Sequence, residues 1–163
     1  MCQGMRWYRK AAEQGHANAQ IGLGFMYKRG QGTPKNYRKT AKWFRMAAEL
    51  GDATAQTFLG SIYRNGEGVL QDYEEAVSWY RKAAEQGHTA AQVHLGLMYR
   101  LGQGGFNDNA LAHMWFNIAG SNGNEKGIDF RAKIEKEMTA SQISEAQKLA
   151  RKCMKQGYKG CGR

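Results

Sequence analysis

Apolar residues recur along this chain in two registers, one nested inside the other. Within residues 17–51, Ala19, Leu23 and Tyr27 stand four apart, the spacing of one stripe on an amphipathic helix. Gly24 lies beside Leu23, where a missing side chain lets a neighbouring helix come close. The segment RGQGTP then breaks the pattern with two glycines and a proline, and predicts a turn. A second stripe follows through Tyr37, Trp43 or Phe44, Ala47 and Ala48. Gly51 comes after the last helical position, the place for a residue of positive φ. The predicted unit is helix, loop, helix, glycine cap.

The longer register repeats that unit. Trp7, Trp43, Trp79 and Trp115 are 36 residues apart, and Gly15, Gly51, Gly87 and Gly123 keep the same step. So do Gly24, Gly60 and Gly96, and Tyr27, Tyr63 and Tyr99. The decapeptide WYRKAAEQGH occurs identically at 7–16 and 79–88. A fixed period in the range of about 20–50 residues is the mark of a repeat array. One helix pair cannot bury both of its apolar faces, whereas stacking on a copy buries them. The predicted fold class is therefore all-α, a solenoid of helix pairs forming one domain over residues 1–163. Its parts are the second helix of an incomplete repeat (1–15), full repeats at 16–51, 52–87 and 88–123, and a degenerate repeat with a C-terminal capping helix (124–163).

Residues 55–87, AQTFLGSIYRNGEGVLQDYEEAVSWYRKAAEQG, carry the pattern A-x-x-x-L-G-x-x-Y-x-x-G-x-G followed by A-x-x-W-[YF]-x-K-A-A-E-x-G. This resembles the Sel-one-like repeat family, a tetratricopeptide-type class, from residue 5 to about 123. The resemblance implies a right-handed superhelix of antiparallel helix pairs and a non-catalytic scaffold or adaptor role. Many relatives are bacterial and many of those are exported, which favours a periplasmic or secreted location over a cytoplasmic one. Departures are Thr40 for Ala, Pro34 in the first loop, Asn109 for the aromatic of Tyr37 and Tyr73, and Arg131 and Ala132 for Leu and Gly. Beyond them Thr139 with Gln142 predicts a capping box, and Met138 with Ile143 a hydrophobic staple. The chain opens on a second helix with no partner before it. That edge points to a trimmed array, or to an end that self-associates with another chain.

In tetratricopeptide-type repeats the first helix of each unit lines a concave groove. By that resemblance a protein or peptide partner would meet Asn18, Ile21, Phe25 and Lys28 in the first full repeat. It would meet Thr54, Thr57, Phe58, Ser61 and Arg64 in the second, and Val93, His94, Leu97 and Arg100 in the third. These positions vary while the stripe beside them does not, as on a binding surface or on a drifting solvated face. Lys28, Arg64 and Arg100 form a ladder of cations. They either complement helix C-termini, at about 0.3–1 kcal/mol each, or donate to the carboxylates of an acidic peptide.

Charge sharpens this picture. The chain carries a net charge of +10. Residues 1–50 hold ten Lys/Arg against two acids, residues 51–130 five against nine, and residues 131–163 nine against three. Basic ends around an acidic middle make a nucleic-acid-associated protein the alternative reading. The aromatics lie on the core stripe instead of interleaving with the cations, which counts against it. No apolar run reaches the roughly 18–20 residues of a membrane span. No signal peptide precedes the first repeat, so the chain reads as cytosolic or as a mature form.

Candidate chemistry is sparse. His16 and His88 occupy a slot held by Asp52 and Asn124, an N-cap position. His113 stands where Ala41 and Val77 stand, as a packed ring. No two histidines are spaced i, i+4, so no metal is expected. GLGFMY lacks the last glycine of a phosphate loop, so neither is a cofactor. Some cysteine-rich relatives have been linked to penicillin binding, but no S-x-x-K is present and Lys39-Thr40 leads into Ala41, not Gly. No catalytic residue is assigned. Cys153 and Cys161 flank a glycine-containing turn and are either two free thiols or a small-loop disulfide. The resemblance to exported relatives favours the disulfide. Cys2 is left over, and a lipid on it would need a lipobox that is not there.

Overall fold

The computed structural model describes residues 3–105 and 107–162. Cys2 lies outside them. The described residues form nine helices and no strand. They are α1 (Gln3–Glu13), α2 (Ala17–Arg29), α3 (Tyr37–Glu49), α4 (Ala53–Asn65), α5 (Tyr73–Ala84), α6 (Thr89–Leu101), α7 (Asn109–Ser121), α8 (Glu125–Glu135) and α9 (Ala140–Lys155). None is long and apolar enough to cross a membrane. The chain divides into two compact units, Met1–Trp79 and Tyr80–Arg163.

The short loops share one construction. The backbone N–H groups of Asn36, Asp72 and Asp108 donate to the carbonyls of Tyr27, Tyr63 and Tyr99 at 3.0, 2.9 and 3.0 Å. Each side chain then accepts from a backbone N–H three residues on, at Lys39, Glu75 and Leu111. One acidic or amide residue thus closes the loop and caps the next helix, an effect of about 1 kcal/mol. Asp52 and Asn124 cap α4 and α8 in the same way. His16 and His88 hold the equivalent extended backbone without a side-chain capping bond. Gly51 turns the chain between α3 and α4 at φ 94°, a value that other residues rarely adopt.

In the first unit α1 packs on α2, α2 on α3 and α3 on α4. Ala19, Leu23 and Tyr27 are buried together with Met5, Ala12 and Trp43. Phe44, Ala47 and Ala48 are buried as well. Tyr37 departs from the stripe. It opens α3 and is 44% exposed. Its backbone, not its ring, is the contact: Gly68 of the following loop lies so close to the Tyr37 carbonyl that a Cβ there would collide with it.

In the second unit α6 packs on α7, and α7 on both α8 and α9. Leu95, Met98, Met114, Trp115, Phe116 and Ile118 are fully buried, joined by Ile134 of α8 and by Ala146 and Ala150 of α9. Truncating a buried Trp to Ala typically costs about 3–5 kcal/mol, a large part of the 5–15 kcal/mol or so that holds a domain. Thr139 and Gln142 form the reciprocal capping box that starts α9, at 2.8 and 3.2 Å. A disulfide joins Cys153 of α9 to Cys161.

Candidate interaction surfaces

Rings on the second helix of a repeat meet side chains on the first helix of the next. Phe44 stacks on Phe58 with centroids 5.2 Å apart, Tyr80 on His94 at 5.0 Å, and Phe116 leans on Phe130 at 5.4 Å. Phe58, His94 and Phe130 are 36 residues apart and half-buried. They are anchored to the core on one side and open on the other.

In the first unit Asn18 and Thr54 are exposed near the starts of α2 and α4, and Ile21 is half-buried. Phe25 sets its edge against both Phe44 and Phe58, with centroids at 5.2 and 4.9 Å, so those three rings form one cluster. Thr57 is buried and its hydroxyl donates to the Ala53 carbonyl at 2.8 Å. Ser61 donates to the Thr57 carbonyl at 3.3 Å. These two hydroxyls are turned back into their own helix.

In the second unit Val93, His94 and Leu97 of α6 come together with Phe130, Lys126, Asp129 and Lys133 of α8 around an open cleft of about 600 Å³. Val93 is buried at its base, and Leu97 is half-buried. Lys133 holds its ammonium 5.4 Å from the Phe130 ring centroid. The α8 side of this cleft was not legible from repetition, since the pattern fails at Arg131 and Ala132. Phe130, in register with Phe58 and His94, was the signal available.

The cation ladder has internal partners. Lys28 pairs with Glu67 of the α4–α5 loop at 3.0 Å, and Arg100 with Glu137 at 2.7 Å. Burial pushes the Glu67 carboxyl up, but the Asn65 amide and the Lys28 ammonium outweigh it and hold the group below its ordinary value. Arg64 is half-buried, and its carbonyl accepts from Gln71 at 2.8 Å.

Two other ladders went unread in the sequence, although their register was available. Buried Gln20, Gln56 and Gln92 donate to the Ala12, Ala48 and Ala84 carbonyls of the preceding helix at 3.1, 3.1 and 3.3 Å. Arg9 donates to the Tyr27 hydroxyl at 2.9 Å and Arg81 to the Tyr99 hydroxyl at 2.6 Å. His113 is fully buried, with Nε2 2.8 Å from a Glu135 carboxylate oxygen. Among the described residues no three His, Cys, Asp or Glu side chains gather as a metal site.

Residues 3–16, 17–52, 53–88 and 89–124 each match the Sel1 repeat. The chain belongs to the Sel1 repeat family. Such repeats generally build scaffolds for protein–protein interaction and are generally not catalytic. Among solved structures it is similar to c5321, a protective antigen of uropathogenic Escherichia coli strains displaying an SLR fold, with 40% identity and a TM-score of 0.87. That match covers 96% of this chain and 34% of the other. A Sel1 repeat protein from Oxalobacter formigenes is 39% identical with a TM-score of 0.76, over 79% of this chain and 53% of its own. This chain thus spans about a third and about a half of those two proteins. Helicobacter pylori cysteine-rich protein B, 24% identical over 78% of this chain and 92% of its own, shares the fold at a TM-score of 0.61. No curated protein matches the sequence.

Proposed function

We infer that this Sel1 repeat protein is a non-catalytic adaptor that captures a peptide or protein segment on the groove-lining face of its first helices. The cleft between α6 and α8 carries the reading. In the first unit the Phe25 ring fills the space over Phe44 and Phe58. Leu97 stands at the corresponding place relative to Phe116 and Phe130, and the smaller side chain leaves the cleft open. An apolar side chain of a partner fits there, with Lys126, Asp129 and Lys133 at the rim to pair with a polar flank. In the first unit the corresponding face is Asn18, Ile21, Phe25 and Lys28 with Thr54, Phe58 and Ser61.

Leu97→Phe is the direct test, because it restores the ring found at Phe25 and closes the cleft while keeping an apolar residue. Quantitative cross-linked pull-downs with wild type and Leu97→Phe should differ by loss of a specific partner from the variant. Equal recovery of every partner would remove the cleft from consideration. Recovery that instead falls steeply with salt would favour nucleic acid on the basic segments 1–50 and 131–163. The Cys153–Cys161 disulfide supports a periplasmic or secreted setting, where such bonds persist. Trp7 is 67% exposed on α1, and that face is the route by which we expect any self-association, read by sedimentation of wild type against Trp7→Ser.

A further inference from the structure

The second copy of the repeated decapeptide, residues 79–88, has an occupant. The strap from Gly157 to Gly162 lies along it. The Tyr158 ring rests against Gly87, at 3.4 Å from where a Cβ would stand. The Gly160 N–H donates to the Glu85 carboxylate at 3.1 Å. The Gly162 carbonyl accepts from the Tyr99 hydroxyl at 3.1 Å and from Arg81 at 3.4 Å. Gly160 and Gly162 take φ of 69° and 72°, which lets the strap turn closely against the helix. The recognised pattern is an aromatic ring, a glycine N–H two residues later and a carbonyl oxygen two residues after that.

The first copy, residues 7–16, presents the same groups. Arg9, Glu13 and Gly15 correspond to Arg81, Glu85 and Gly87, and Tyr27 corresponds to Tyr99. Arg9 Nη2 is already set on the Tyr27 hydroxyl at 2.9 Å, as Arg81 is on Tyr99. Glu13 and Gly15 are exposed, and nothing lies within 4 Å of a Cβ built on Gly15. The middle repeat does not reproduce this arrangement, because Arg45 lies over the Tyr63 ring, 5.4 Å from its centroid.

Two exchanges distinguish the first copy from the second. Leu111 touches the strap at Gly162, and its counterpart is Lys39, whose ammonium lies 5.1 Å from the Tyr27 ring centroid. The carbonyl end of an occupant therefore meets Arg9, Lys39 and the Tyr27 O–H together, a set suited to a full negative charge. Asn122 bonds the Tyr158 hydroxyl at 3.1 Å, and its counterpart is the exposed Leu50, which favours an aromatic ring without a hydroxyl.

We propose that Arg9, Glu13, Gly15, Tyr27 and Lys39 form a peptide site for a partner's C-terminal segment of the form aromatic-x-Gly-x-Gly, ending in its free carboxylate. The site takes Phe or Trp on Gly15 and Leu50, the glycine N–H on Glu13, and the carboxylate on Arg9, Lys39 and the Tyr27 hydroxyl. It lies in the first unit and is separate from the cleft between α6 and α8.

The probe is the synthetic peptide acetyl-QGFKGSG with a free carboxylate, titrated into the full-length, disulfide-intact, isotope-labelled protein and followed by NMR. Saturable shifts at the Gly15 and Tyr27 amides are expected. Affinity should fall about tenfold or more on Arg9→Ala, on Glu13→Ala and on amidation of the peptide, as for loss of one charge-assisted bond. Glu13 is an exposed helix residue, so Glu13→Ala decides the matter even where Arg9→Ala fails to fold. No saturable shift at Gly15, shifts confined to Gly87 and Arg81, or undiminished affinity in folded Glu13→Ala would each overturn the proposal.

Discussion

Phe116 lies against Gly96 so closely that a Cβ on the glycine would fall 2.6 Å from the ring and 3.2 Å from the Ala112 carbonyl oxygen. The ring has nowhere to go, being fully buried and backed by Phe130. Overpacking of this kind costs about 1–3 kcal/mol, more than the 0.8–1 kcal/mol or so that alanine gains over glycine inside a helix. Gly96→Ala should therefore destabilise the protein and lower its melting temperature by a few degrees.

Gly22→Ala should do the opposite, for the same reason weighed differently. Its Cβ would come within 2.9 Å of the Tyr8 ring, but Tyr8 is exposed and free to swing aside. The helix-propensity gain then stands almost alone, at up to about 1 kcal/mol. Urea melts of the two variants should shift in opposite directions. A shift of the same sign in both would mean that the ring contacts do not control these glycines.

The four tryptophans were legible as one class in sequence, because each repeat asks for the same residue. Structure separates them: Trp43, Trp79 and Trp115 are at most 8% exposed, while Trp7 is 67% exposed. Iodide should quench one emitter strongly and the other three weakly, and Trp7→Phe should abolish the quenchable component. If Trp7→Phe leaves the quenching unchanged, the face of α1 is covered in solution.

What repetition encodes is contact between identical neighbours, so Leu23, Gly24, Tyr27 and Trp43 could be placed from spacing alone. Contacts between unlike positions left no such trace. Lys28 finds Glu67 across 39 residues and Arg100 finds Glu137 across 37, offsets that differ from each other and from the period. The groove positions were recognisable as variable, yet Thr57 and Val93 are buried among them, because a helix face is divided between core and solvent by its neighbours' size. The strap on Arg81 and Tyr99 was hidden altogether, since residues 157–162 have no counterpart in the repeat.

The Lys28–Glu67 pair gives a pH dependence of definite sign. The folded-state value of Glu67 is depressed below the ordinary 4.5, so its contribution is present above about that pH and is lost as pH falls through the folded value. With side chains 35% and 28% exposed, solvent screening limits it to under about 1 kcal/mol. Glu67→Gln should lower the urea midpoint slightly at pH 7, and by progressively less as pH falls through the folded value. A larger loss at pH 3 than at pH 7 would reverse the assignment.

Reducing the Cys153–Cys161 bond should free the strap. The bond spans eight residues, and on the chain-entropy model such a loop contributes about 2–3 kcal/mol. The hydrogen bonds of the strap to Glu85, Tyr99 and Arg81 contribute about 0.5–1.5 kcal/mol each in net terms. The covalent link holds Cys161 beside α9 and so restricts the undocked strap, which lowers the entropy that docking must overcome. A dithiol reductant, or Cys161→Ser, should abolish protection of the Gly160 amide from hydrogen exchange while the buried α7 amides remain protected. Undiminished protection of Gly160 after complete reduction would show that the strap is held by its noncovalent contacts alone.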